Sequence, residues 1–385
     1  MTHIHICKFG GSTLRSLQDI RMHAKRVASL GVPTVIVVSA MKGVTEQLLG
    51  CAESIVSERH ADELAALLVT GEMQAAALFA MALKDLGQPA MSVNAWQCGL
   101  RAKGHPLSSV PDHLDVHVLR EMIEQGVTPV VTGFQGVAGK RLVTLGRGGS
   151  DTTAVFLAAS LGASVCTFYK DVPGLYAIDP KILPQTCILK QISYHEMLEA
   201  SALGVNLLER SAVQFAMKHQ ITIHIQHAFD EGEGTMITDK AHHAQVKCIA
   251  QSDNQHIMTL RSDILGAGDQ LIADLTDHCA HPRLLEFGPD SDGYRWVVAC
   301  QAKDLPQSIF TKNTSVKSGL AVVSLVGWAI RSSPLFINEM LQQVLGEGIQ
   351  IEACGFAETS VSLWVSASAA KRVVKMLSEC IFEPA

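Results

Sequence analysis

Apolar positions alternate through residues 3–9 and stop at Gly10-Gly11, after which Leu14, Leu17, Ile20, His23, Ala24 and Val27 recur at helical spacing. Side chains return to one face every second residue in a strand and about every 3.6 residues in a helix, so this stretch predicts a strand, a glycine turn and a helix. Val35-Ile36-Val37-Val38 is a continuous β-branched run, as in a parallel strand covered on both faces, and Ser39 to Gly43 closes it. A helix is expected from near Thr45. The apolar-rich stretch 63–86 reads as helical with a break at Thr70-Gly71-Glu72, and Gly87-Gln88-Pro89 ends it before strand-like 90–93. A helix over 112–125 leads through Gly126 into a strand at 128–132. A helix over 151–161 leads through Gly162 into a strand at 164–168. Strands alternating with helices imply an α/β domain with a mainly parallel sheet.

The pattern changes near residue 245. A strand at 256–260, a helix at 265–277 and strands at 283–287 and 294–300 come first. A strand at 320–326, a helix from Pro334 to Leu345, strands at 349–354 and 360–366 and a helix at 368–380 follow. That order suggests two small α+β modules, 246–312 and 313–385, behind a larger domain at 1–245, with His242-His243 in a polar connector.

Composition narrows the function classes. A chain of 385 residues exceeds what one core usually organises. It carries a net charge of −6 without clustered Lys or Arg, so nucleic acid and anionic membranes are not its expected partners and small molecules are. Ten cysteines without a Cys-x-x-Cys pair read as buried small hydrophobes in a reducing compartment. With no basic leader and no apolar run near the roughly 18 residues that span a bilayer, a cytoplasmic protein is expected.

Three motifs carry chemistry. Lys8-Phe9-Gly10-Gly11-Ser12-Thr13 sits where a strand gives way to a helix, so glycine amides and a lysine can meet an anion there; alone, the glycines could equally be turn residues. No Walker-type motif occurs. Gly146-Arg147-Gly148-Gly149-Ser150-Asp151 precedes a helix, with Ser150 or Asp151 expected as N-cap, Arg147 able to clamp a carboxylate and Asp151 able to orient Lys8. Tyr169-Lys170-Asp171-Val172-Pro173-Gly174, continuing to Asp179-Pro180-Lys181, reads as an ordered loop with a type II turn at Val-Pro-Gly, presenting Asp171, Tyr176 and Lys181. His278-Cys279-x-His281 and His224-x-x-His227 contain metal-ligand types, but neither spacing builds a zinc site unaided.

These segments, with Val37 to Met41, Gly43 to Thr45, Thr70 to Glu72, Trp96-Gln97-Cys98-Gly99 and Gly133-Phe134-Gln135-Gly136, resemble the aspartokinase branch of the amino-acid kinase family in type and order across about residues 4–240. The resemblance implies an amino-acid-kinase-like three-layer domain followed by two ACT-like modules. It implies that ATP, with Mg²⁺, phosphorylates the side-chain carboxylate of L-aspartate. Lys8 would steady the transferring phosphoryl group and Asp151 would organise Lys8. Ser39, Thr45, Glu72, Arg147 and Ser150 would hold the amino acid, and Gly10, Gly11, Lys170, Asp171, Tyr176 and Lys181 the nucleotide. An amino-acid effector at the ACT-like modules and a homodimer or larger homo-oligomer are further implications.

The chain departs from the family at Lys170, usually threonine, at Lys181, usually arginine, and at Asn206, usually a lysine that serves the nucleotide within Gly-Ala-Lys-Val-Leu-His-Pro. Cys354 to Thr359 replaces the usual segment of the second ACT module. Two other readings therefore stand beside aspartate kinase: an amino-acid kinase for another acidic substrate, and a catalytically weakened regulatory subunit.

Overall fold

The computed structural model describes residues 4–56, 58, 60–239, 246–290, 293–305, 307–328 and 330–382. The His242-His243 connector and the side chains of His278 and His281 lie outside the described residues. Two compact units emerge, and no single cut separates them. The first is Met1–Leu175, Ile188–Met197 and Asn206–Ala241; the second is Tyr176–Cys187, Leu198–Val205 and His242–Ala385.

The first unit begins with β1 (His5–Phe9), α1 (Leu17–Ala28), β2 (Thr34–Val38), α2 (Val44–Ile55), α3 (Ala61–Leu68) and α4 (Thr70–Asp85). There follow β3 (Ala90–Val93), β4 (Arg101–Lys103), β5 (Val110–His113), α5 (Val116–Glu124), β6 (Thr128–Thr132), β7 (Gln135–Ala138), β8 (Arg141–Thr144), α6 (Gly149–Leu161) and β9 (Val165–Lys170). It closes with β10 (Gln191–Ser193), α7 (Tyr194–Ala202, whose second half falls in the other unit), α8 (Arg210–His219), β11 (Thr222–His227) and β12 (Thr235–Thr238).

An eight-stranded sheet in the order β10-β12-β11-β9-β1-β2-β6-β3 organises this unit. It is parallel from β11 to β3, and β12 runs antiparallel to β11. The β-branched run 34–38 and the strand 128–132 are wholly buried, as strands covered on both faces must be. Alternation along β1 decides what each face receives. Cys7 and Phe9 join the core with Ile20, Ala24, Phe79 and Leu83 of α1 and α4. Lys8 therefore points to the other face, where Asp151 of α6 meets it.

Several local expectations are corrected. Residues 110–113 form an edge strand of a small sheet, β5-β4-β7-β8, and the helix expected from 112 begins at Val116 behind Asp115, whose carboxylate accepts from the His117 amide. Pro111 suits that edge. The N-cap of α6 is Gly148 at φ +66°, so Ser150 and Asp151 stand inside the first turn. Gly174 does not adopt the positive φ of a type II turn. Its missing side chain instead leaves room for Thr235 and Ile188, which a Cβ would approach to 2.6 and 2.7 Å. Cys51, Cys187 and Cys380 are exposed rather than buried. The helical stretch Ala61–Asp85 is apolar and long enough to cross a bilayer, contrary to the reading of the sequence, but 56% of its most apolar window is buried inside the fold, as in a core helix.

The second unit carries β13 (Cys248–Ser262), α9 (Ala267–His278), β14 (Ala280–Asp290), β15 (Gly293–Gln301), β16 (Thr314–Val326), α10 (Pro334–Gly346), β17 (Ile351–Phe356), β18 (Ser360–Ser366) and α11 (Ala367–Phe382). Its six strands form one antiparallel sheet, β14-β15-β13-β16-β18-β17, so both α+β repeats share a sheet through the β13–β16 pairing. Ala321, Val323 and Leu325 pack with Val373, Val374 and Leu377 of α11 in one core, while Leu271 and Leu275 of α9 pack with Trp296 and Val298 in another.

Candidate active site

A cavity of about 460 Å³ opens at the carboxyl ends of β1 and β2, where ligands sit in open α/β sheets. Lys8, Gly11, Ser39, Thr45, Glu72, Arg147, Ser150 and Asp151 line it, so eight of the residues singled out from sequence converge there. Gly10 lies alongside: a Cβ on it would stand 3.2 Å from the Lys8 ammonium. A Cβ on Gly11 would lie 3.1 Å from the Ala40 carbonyl, so both glycines keep backbone close to the cavity floor. Gly133 is needed for closeness too, since a Cβ there would meet Ser150 at 2.6 Å.

Two charged features dominate. Lys8 Nζ lies 2.5 Å from Asp151 Oδ1, and Lys170 Nζ lies 3.5 Å from Asp151 Oδ2. Burial alone would push Asp151 up, but Lys170 and Lys8 together outweigh it and hold the carboxyl down at about 2. Burial lowers Lys8, and Asp151 restores only part of that loss. The second feature is Glu72, 4% exposed on the first turn of α4. Its Oε1 accepts from the Ala40 amide at 3.0 Å, while its Oε2 is buried without a hydrogen-bond partner among the described residues. Burial pushes Glu72 up to about 7, and the Ala40 amide and the Lys8 charge offset only part of the rise. A buried acceptor without a donor costs about 1–3 kcal/mol, so Oε2 is poised for a cationic donor. Exposed Arg147 has no ion-pair partner among the described residues.

Elsewhere the sequence expectations divide. Asp171 accepts from the Ser12 hydroxyl at 3.1 Å on the first unit, whereas Tyr176 and Lys181 belong to the second unit. Asn206 is exposed and does not line the cavity. Sequence reasoning missed Ser12, Lys42, Glu46, Phe134 and Glu209, which do line it. Phe134 carries a φ of +67°, rare for a side chain of that size, and it lay inside a motif already noticed. Glu209 packs over Gly148 at the position where the family carries histidine, a local signal that was legible. No cluster of three or more His, Cys, Asp or Glu side chains among the described residues is placed to hold a metal ion. Asp151 is already committed to Lys8 and Lys170.

The sequence model of the amino acid kinase family matches residues 4–227. The aspartokinase of Geobacillus stearothermophilus is 31% identical over 93% of this chain and 92% of its own length. That of Pseudomonas aeruginosa is 32% identical over 96% and 95%. Among solved structures, Escherichia coli aspartokinase III in complex with aspartate and ADP superposes with a TM-score of 0.80 at 22% identity, covering 99% of this chain and all of that one, which shows a shared fold. With motifs, cavity and near full-length similarity in agreement, the chain belongs to the amino acid kinase family, in its aspartokinase branch.

Proposed function

We propose that the chain transfers the γ-phosphate of ATP to the side-chain carboxylate of L-aspartate. The observation that carries this reading is the pairing, in one cavity, of a buried lysine with a buried carboxylate oxygen that lacks a donor. Glu72 Oε2 would take the substrate ammonium and Arg147 its α-carboxylate through a planar two-point fork, with Ser39, Thr45 and Ser150 closing around the amino acid. The β-carboxylate would then lie toward Lys8. An aspartate side chain, with a reference pKa of about 3.9, is ionised at neutral pH, so the nucleophile needs no general base. Alignment and charge neutralisation are what remain, and Lys8 with the Gly10 and Gly11 amides would supply them. The nucleotide would reach these groups with Asp171 and Lys170 beside it. Mg²⁺ would enter on the ATP phosphates, its usual mode of binding, and no step here runs through it. Tyr176 and Lys181 remain proposed nucleotide contacts. The two repeats at 246–312 and 313–385 are proposed as ACT-like modules that take an amino-acid effector and join chains into a homo-oligomer.

A coupled ADP-release assay with aspartate, glutamate and N-acetylglutamate tests the reading. Aspartate should turn over and N-acetylglutamate should not, because acetylation removes the ammonium that Glu72 needs. Glutamate turning over as fast as aspartate would favour a kinase of broader acidic specificity, since Glu72 and Arg147 address only the α-groups. No turnover with any of the three would sink the kinase reading.

A further inference from the structure

Two ammonium groups converge on one carboxylate beneath the cavity. Lys8 takes Oδ1 of Asp151 and Lys170 takes Oδ2, with the three side chains 5%, 15% and 7% exposed in the order Lys8, Lys170, Asp151. Asp151 comes from the first turn of α6, Lys8 from the penultimate residue of β1 and Lys170 from the last residue of β9. A carboxylate facing a single ammonium can take it with both oxygens and turn its donors away from solvent. Here the second oxygen is occupied, and Lys8 retains donors for the cavity that it lines. The trio also sums to one excess positive charge in a buried setting, which Glu72 on the same cavity offsets only when it is ionised.

We propose that Lys170 is a positioning residue: by holding Asp151 Oδ2 it keeps Lys8 on Oδ1 with its remaining N–H donors turned to the transferring phosphoryl group. This rests on the kinase reading above. The groups that face Lys8 are Asp151 on α6, Lys170 and Cys166 on β9, and Glu72 on α4. Lys170 opposes the charge on Lys8, so its removal should make Lys8 hold its proton to higher pH.

The test compares the full-length chain with Lys170→Met and Lys170→Arg. Lys170→Met should lower kcat about tenfold, with KM for aspartate unchanged. The alkaline limb of its kcat profile should move to higher pH, and Lys170→Arg should restore both. An ε-carbon NMR titration of Lys8 reads the same shift without turnover, so it decides the matter even if the wild-type chain proves not to phosphorylate aspartate. Unchanged kcat, a loss confined to KM for ATP, or an unmoved Lys8 titration in Lys170→Met would overturn the proposal.

Discussion

Glu72 is the buried carboxyl of the cavity whose titration the fold moves upward. Its carboxyl is raised from 4.5 to about 7 in the fold, so the folded chain holds that proton more tightly than the unfolded chain does. The sign follows: its contribution to stability is complete below about pH 4.5 and is lost as pH rises through about 7. At roughly 1.4 kcal/mol per unit, the difference is on the order of 3 kcal/mol. Glu72→Gln should therefore match wild type in urea unfolding near pH 5 and exceed it by up to about 3 kcal/mol at pH 8. The same variant should raise KM for aspartate about 10- to 100-fold, since a hydrogen bond to a charged group contributes about 1.5–3 kcal/mol. Aspartate, by presenting an ammonium to Oε2, should draw the carboxyl back down and release a proton on binding near pH 6.5. Identical pH dependence of unfolding in the two proteins would remove this account.

The helix α6 shows how an element delivers its residues. Its first turn carries Ser150 and Asp151, and the turn before it, Gly146 to Gly148, carries Arg147. Gly148 and Gly31 share nearly the same left-handed backbone, φ +66° and +64°, but not the same surroundings. A Cβ on Gly31 meets nothing within 4 Å, whereas one on Gly148 would fall 1.8 Å from Glu209 Cγ. Gly31→Ala should thus lose only the backbone term of about 1–2 kcal/mol. Gly148→Ala adds overpacking of about 1–3 kcal/mol and displaces Arg147 and Asp151, so its kcat should fall while that of Gly31→Ala stays at wild type. Thermal melts and ADP-release rates on the pair check both halves. Much of this unit was legible in the sequence because β-branched residues and the glycines that follow mark β2 and β6. The start of α6 was misplaced because Ser150 and Asp151 have capping chemistry and are used instead inside the turn. The small sheet β5-β4-β7-β8 was missed because its strands are three or four residues long and lack a distinct period. At the site, glycine pairs and flanking charges could be read, but burial and the unpartnered Glu72 oxygen are properties of the folded packing alone.

The change in element pattern near residue 245 suggests a linear division that the packing does not follow. Segments 176–187 and 198–205 belong to the second unit. Ile178 bridges to Ile249, the Ile249 amide donates to the Ala177 carbonyl at 2.8 Å, and Ile178 is buried in the core built by Ala321, Val323 and Leu325. Ile182 and Leu183 pack against that core, and Glu199 accepts from Ser360 at 2.7 Å and Arg283 at 3.5 Å. The order of elements along the chain reports only sequence neighbours, so two short returns into another unit leave no trace in it. The consequence is physical. Residues 1–245 made alone would carry Ile178, buried and worth about 1.5–3 kcal/mol, and the partly buried Ile182 and Leu183 without the strands that cover them. That fragment should associate in light scattering and melt below the full chain. Replacing the three apolar residues by serine should recover a monomer without restoring the melting temperature, because the covering core is still missing. A fragment 1–245 that is monomeric and melts with the full chain would show that these segments fold independently of residues 246–385.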